Sequence, residues 1–150
     1  MIAAIYIVLT LIFRPISYGM MQVRVSEALT VLPFLTPAAI PGLAIGCLIA
    51  NIIGPYGLVD IVVGTTATTL AAILSSRMKR RFWVPLPPVV INALFIGGML
   101  YYLFLGSPDQ APLWSIILWV GAGQVAACYG LGYPLLLLLE KYQHRIFMKF

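Results

Sequence analysis

VPLPPVVINALFIGGMLYYLFLG, from Val84 to Gly106, carries no charged residue. A helix rises ~1.5 Å per residue, so about 20 such residues cross the ~30 Å hydrocarbon core of a bilayer. Two further stretches read the same way. Leu113 to Leu139 has no charge, and Leu58 to Ser76 has only Asp60. Across the chain 62% of residues are hydrophobic and 9% charged, with a mean hydropathy of +1.03. A soluble domain needs a polar outer face on each helix, and these segments lack one. The chain is predicted to be an all-α integral membrane protein.

Composition excludes several classes. The 150 residues make a single domain, 1–150, with no room for a soluble catalytic domain beside a helix bundle. Met1 to Phe13 lacks a basic n-region and an A-x-A cleavage pattern, and reads as a first membrane helix rather than a cleaved signal. Cys47 and Cys128 both sit in apolar segments and read as core fillers, and with one histidine they make no metal site. No Lys-bearing glycine-rich phosphate loop, metal-ligand cluster or Ser/His/Asp set is visible, so neither an enzyme nor a cofactor is expected. The net charge of +5 comes mainly from Arg77, Lys79, Arg80 and Arg81 and from a tail with Lys141, Arg145 and Lys149. Nucleic-acid binding needs such charge displayed with aromatics on a folded face. Short basic clusters beside membrane helices instead mark the cytoplasmic side.

Four elements follow from length and charge: Ile2 to Phe13, Gly57 to Ser76, Val84 to Leu105, and Leu113 to Glu140. The loop Gly106–Pro112 has turn-formers and no basic residue, which suits the outside. Two spans then separate the two basic clusters, and both clusters fall inside. Pro15 to Tyr56 is broken by Pro33, Pro37, Pro41 and Pro55. Proline ends helical ladders and restricts the residue before it. This region reads as a surface loop Pro15–Val25, a short helix Ser26–Leu35, a tight turn Thr36–Pro41 and a second short helix Gly42–Ile53. The pair is either two short spans or a re-entrant hairpin. Either arrangement puts the N-terminus inside and the Pro15–Val25 loop outside.

Polar side chains in lipid are costly, so each needs a partner or a task. The candidates are Arg24, Glu27, Asn51, Asp60, Asn92 and Gln124. Arg24 and Glu27 stand three apart, with Ser26 as a candidate N-cap, and read either as a local ion pair or as the charged rim of an outward-facing pocket. Asp60 begins a small and polar stripe with Gly64, Ala67, Thr68, Ala71 and Ser75. That stripe suits a close helix seam whose threonines bond their own backbone, with Asp60 as an interfacial cap or a pocket carboxylate. Asn92 either bridges helices or reads a ligand edge. Trp119, Tyr129 and Tyr133 fall within about 80° at ~100° per residue, while Gln124 points roughly 140° away from Trp119. Such aromatics form a core or interface belt, or a platform for a flat heteroaromatic ligand. Ala122, Ala126 and Gly130 make a small-residue line that reads as a packing groove.

ISYGMMQVRVSEALTVLPFLTPAAIPGLAIGCLIANIIGPYGLVDIVVGTTATTLAA (Ile16–Ala72), PPVVINAL (Pro87–Leu94) and GAGQVAACYGLGYPLLLLLEK (Gly121–Lys141) together resemble the QueT family. These are queuosine-precursor S components of energy-coupling factor (ECF) transporters, and the resemblance covers nearly the whole chain. It implies a compact bundle of six transmembrane helices, two of them short (about 26–36 and 42–54), in a prokaryotic cell membrane with both termini cytoplasmic. It implies as partners a T component and two cytoplasmic ATPases, and as ligand a 7-deazaguanine such as preQ0 or preQ1. The expected substrate-binding set is Arg24, Glu27, Asn51, Asp60, Asn92, Trp119, Gln124 and Tyr129. Glu27, Asp60 and Asn92 would read polar edges, Tyr129 or Trp119 would stack, and Arg24 would close the rim. Family members often carry Glu where this chain has Gln124, which leaves Glu27 or Asp60 to pair with an amine-bearing ligand. S components usually carry small residues at A-x-x-x-A spacing on the first helix; here only the adjacent Ala3 and Ala4 are present. An S component for another planar heterocycle, or a ligand-free membrane assembly protein, are the alternatives.

Overall fold

The structure, a computed structural model, describes residues 1–19 and 21–142. The basic tail at Arg145 and Lys149 lies outside them. Every regular element among the described residues is helical, in the order α1 (Ile2–Ile12), α2 (Arg14–Ser17), a 3-10 segment (Val25–Val31) running into α3 (Leu32–Leu35), α4 (Ala39–Ile53), α5 (Gly57–Ser76), a 3-10 turn (Arg81–Trp83), α6 (Leu86–Leu103), α7 (Leu113–Val125), a π-helical stretch (Ala126–Gly132) and α8 (Tyr133–Lys141). Three helical runs are long and apolar enough to cross a membrane: Gly57–Ser76, Arg81–Leu103 and Leu113–Lys141. Three shorter apolar ones are Ile2–Ile12, Val25–Leu35 and Ala39–Ile53. The rods form a closed ring. α4 packs between α1 and α5, α6 between α5 and α7, and the 3-10 segment fits between α1 and the π-helical stretch.

Of the four prolines expected as breaks, Pro37 and Pro55 do lie in the turns between helices, while Pro33 and Pro41 lie inside helices. Pro41 lies inside the first turn of α4, Pro33 in the first turn of α3, and Pro87 and Pro88 in that of α6. The first four N–H groups of a helix have no intrahelical partner, so a proline there loses no bond. Helix α4 therefore starts at Ala39, not at Gly42. Pro15 likewise opens the short α2 within the expected surface loop. The Val25–Val31 run is 3-10, with a rise of ~2.0 Å per residue instead of ~1.5, so this short rod reaches further than an α-helix of equal length.

The burial pattern is inverted relative to a soluble protein. Ile45, Ile52, Leu58, Val62, Leu94 and Leu118 face outward, while Thr10, Arg24, Glu27, Asn51, Asp60, Thr68, Asn92 and Gln124 are buried. Apolar lipid is a good solvent for the first set and a poor one for the second. The bundle is thus a membrane protein by its outer surface as well as by helix length.

Close approach of α1 and α4 depends on Gly42 and Gly46. A Cβ on Gly46 would lie 2.8 Å from the Tyr6 Cβ and 3.0 Å from the Ala3 carbonyl oxygen. Neither atom can swing aside, and overpacking of this kind costs about 1–3 kcal/mol. Gly46→Ala is expected to lower the melting temperature. Gly98→Ala, where nothing lies within 4 Å, should leave it unchanged or raise it slightly, because alanine favours helix. Equal effects from the two changes would show that α1 does not rest on Gly46.

Candidate functional site

Arg24 sits just before the 3-10 segment, in extended backbone that turns its side chain toward α4 and α5. It is 3% exposed. One guanidinium nitrogen donates to Asn51 Oδ1 at 3.0 Å, and another lies 3.2 Å from each oxygen of Asp60. Asn51 completes the cluster by donating Nδ2 to the Asp60 carbonyl at 3.1 Å. The Arg24 guanidinium also lies over the Tyr18 ring, 5.3 Å from its centroid. Gly64 makes room for this cluster. A Cβ there would come within 2.6 Å of Asn51 Nδ2 and 2.7 Å of Asp60 Oδ1. The α5 stripe is therefore not only a helix seam; its glycine is the floor of a buried ion pair.

Glu27 lies one turn further along. It does not pair with Arg24, contrary to the local ion pair that their spacing allows, because Arg24 is committed to Asp60 and Asn51. Its Oε1 accepts from Tyr6 OH at 2.5 Å and Thr68 Oγ1 at 2.9 Å. Its Oε2 is buried with no hydrogen-bond partner among the described residues. Ser26 is not an N-cap; its hydroxyl is 2.7 Å from Thr10 Oγ1. On α5, Thr66 and Thr69 bond their own backbone, to Val62 and Thr65, as a plain seam requires. Thr68 instead faces Glu27.

A third group joins α6 and α7. Asn92 Nδ2 donates to Gln124 Oε1 at 3.1 Å, and Gln124 Nε2 donates to the Gln22 carbonyl at 3.3 Å. Cys128 links this pair to the second group, its Sγ lying 3.7 Å from Gln124 Oε1 and 3.8 Å from the Glu27 carbonyl oxygen. All six polar residues singled out by sequence are thus buried in the ring, as three adjoining groups.

The two aromatic candidates stand apart from these groups. Trp119 is 54% exposed on the outer surface. Tyr129 packs on Phe82, next to the basic connection between α5 and α6, with ring centroids 5.7 Å apart. Phe82 also meets Tyr133 at 6.4 Å. The ~100° arithmetic that put Trp119 and Tyr129 on one face assumes an unbroken α-helix. The π-helical turn at Ala126–Gly132 is wider and rotates everything after it. The aromatics that flank the charged cluster are Tyr18 and Tyr56, whose ring centroids are 6.4 Å apart. The line Ala122, Ala126 and Gly130, expected to be a packing groove, faces outward, with nothing within 4 Å of a Cβ on Gly130.

Tyr6, Thr10, Tyr18, Gln22 and the role of Thr68 were not legible as site features. Tyr6 and Thr10 did leave a signal: two hydroxyls at i, i+4 on an otherwise apolar first helix lie on one face. Gln22 left none, since it sits in a loop where no periodicity applies.

The model of the QueT transporter family matches residues 1–141. Over 89 residues the chain is 37% identical to a protein of Lactococcus lactis subsp. cremoris (strain MG1363) named queuosine precursor transporter QueT. That match covers 55% of this chain and 52% of the relative, so it spans about half the relative's length. No solved structure matches the chain.

Proposed function

The chain belongs to the QueT transporter family, and we propose from this that it is the solute-binding subunit of an ECF-type importer. It captures a 7-deazaguanine queuosine precursor from outside and passes it inward with a T component and two cytoplasmic ATPases. The observation that carries this reading is the unequal state of two buried carboxylates. Asp60 is already matched by Arg24. Glu27 holds one oxygen to Tyr6 and Thr68 and leaves the other without a partner. An unsatisfied carboxylate oxygen inside a bundle is expensive, and a ligand that donates to it recovers that cost on binding. A protonated aminomethyl group, as in preQ1, is such a donor. Asn92 and Gln124 supply amide groups beside it.

Isothermal titration of purified protein with preQ0, preQ1, queuine and guanine tests the reading. Binding of a 7-deazaguanine more tightly than of guanine is expected. Absence of binding to all four would favour a ligand-free assembly role instead.

The proposed orientation puts six spans in a prokaryotic cell membrane with both termini cytoplasmic. Arg77, Lys79, Arg80 and Arg81 then lie inside, and the Gly106–Pro112 loop outside. The two native thiols are buried, so introduced cysteines can be read cleanly. Cysteine at Asp109 is expected to react with an impermeant maleimide on intact cells, and cysteine at Arg80 is not. Labelling of Arg80→Cys from outside would reverse the topology.

A further inference from the structure

Among the described residues, five buried side-chain nitrogen and oxygen atoms of one stretch of chain have no hydrogen-bond partner: Ser17 Oγ, both amide atoms of Gln22, Arg24 Nε and Glu27 Oε2. Gln22 is the extreme case. Its side chain is 0% exposed, and neither its donor nor its acceptor is used. A methionine would fill the same space with no polar atom to satisfy.

The backbone around Gln22 is held firmly in an unusual state. Gln22 has φ +48°, the one non-glycine residue with positive φ among the described residues. Residues other than glycine seldom adopt this region, and such strain persists only where the surroundings enforce it. Here the enforcement is visible. Gln22 N–H donates to the Gly19 carbonyl at 3.0 Å, and its own carbonyl accepts from Arg24 N–H at 2.8 Å and from Gln124 Nε2 at 3.3 Å. The loop rests on α7 at Gly123, where any Cβ would collide with the Met21 carbonyl oxygen. These contacts tie Gln22 to the charged cluster through Arg24 and to the amide pair through Gln124.

We propose that Gln22 is a specificity-determining residue that reads the amide edge of the captured heterocycle. Its Nε2 donates to the ring carbonyl oxygen, and its Oε1 accepts from the adjacent ring N–H. An amide is the side chain that matches a –CO–NH– edge with one donor and one acceptor. The assignment rests on the capture reading above and adds the part of the ligand that Glu27 does not meet. A site built to hydrogen-bond such an edge rejects an analogue that lacks it, because its own groups are then left unpaired.

The test compares two ligands and two proteins by isothermal titration on the full chain. 7-Deazaguanine carries the edge; 2-amino-7-deazapurine has the same ring and 2-amino group without the 6-oxygen or the N1 hydrogen. The unaltered protein is expected to prefer 7-deazaguanine by about tenfold or more. Gln22→Met should reduce that preference to below about threefold, while the melting temperature of the ligand-free protein stays level or rises. A preference that survives Gln22→Met overturns the assignment. So does a lowered melting temperature with equal loss for both ligands, which would make Gln22 a loop anchor. If the methionine variant does not fold, Gln22→Asn, which tolerates positive φ and withdraws the amide by one methylene, takes its place with the same expected loss of preference. Failure of the unaltered protein to bind either compound or any 7-deazaguanine overturns the capture reading itself, and is told apart by occurring before any substitution.

Discussion

Arg24→Ala is expected to be the most destabilising single change in this protein. It removes the only cation bonded to Asp60 among the described residues while Asp60 stays fully buried. Removing one partner of a buried ion pair costs about 3–5 kcal/mol, since the remaining charge is left in a poor solvent. For a chain of this size that is a fall in melting temperature on the order of 10 °C. The same logic predicts a rescue. Adding Asp60→Asn to Arg24→Ala removes the stranded charge, and Asn51 Oδ1, released by Arg24, can accept from the amide placed at position 60, so at least half of the loss should return. Thermal unfolding in detergent, followed by tryptophan fluorescence, measures both. A shift of only a degree or two in the single variant would mean that water reaches Asp60 and that the cluster is not the tight, dry pair described above.

Glu27→Gln separates binding from structure. The replacement keeps an oxygen for Tyr6 and Thr68, so the melting temperature should change little. It removes the negative charge that the proposed ligand amine requires. A charge-assisted hydrogen bond contributes roughly 1.5–3 kcal/mol, which predicts a 10- to 150-fold weaker affinity for preQ1. The neutral nitrile of preQ0 does not use that charge, and its affinity should fall by less than about threefold. Equal losses for both compounds would assign Glu27 to the ring edge instead of the amine. Unchanged affinity with a lower melting temperature would make Glu27 a helix bridge and remove it from the site.

The membrane class, the helical content and the positions of the long rods were legible in one dimension. They depend on sums over neighbouring residues: apolar length against bilayer thickness, and the scarcity of charge. Gly57–Ser76 was read to its observed ends, because Gly54, Pro55 and Gly57 open the segment and the basic cluster at Arg77 closes it. That polar residues inside apolar segments would matter was legible too, and Arg24, Glu27, Asn51, Asp60, Asn92 and Gln124 are all buried. Their partners were not. The spacing of Arg24 and Glu27 suggested each other, yet Arg24 reaches Asp60 across 36 positions and Glu27 reaches Thr68 across 41.

The solvent this protein lives in, and the side chains that are costly there, follow from transfer free energies that each residue carries locally, and so could be read along the chain. Which polar group satisfies which is instead settled by packing. That depends on which rods adjoin, on Gly46 and Gly64 letting them approach, and on two departures from the α-helix. The 3-10 run at Val25–Val31 and the π-helical turn at Ala126–Gly132 lie against each other, and each changes the angle per residue. The π-helical turn shifts Tyr129 off the face that Trp119 holds, and Tyr129 packs on Phe82 while Trp119 stands on the outer surface. Periodicity assumes one angle throughout, so it could find the buried polar residues but not the faces on which the aromatics stand.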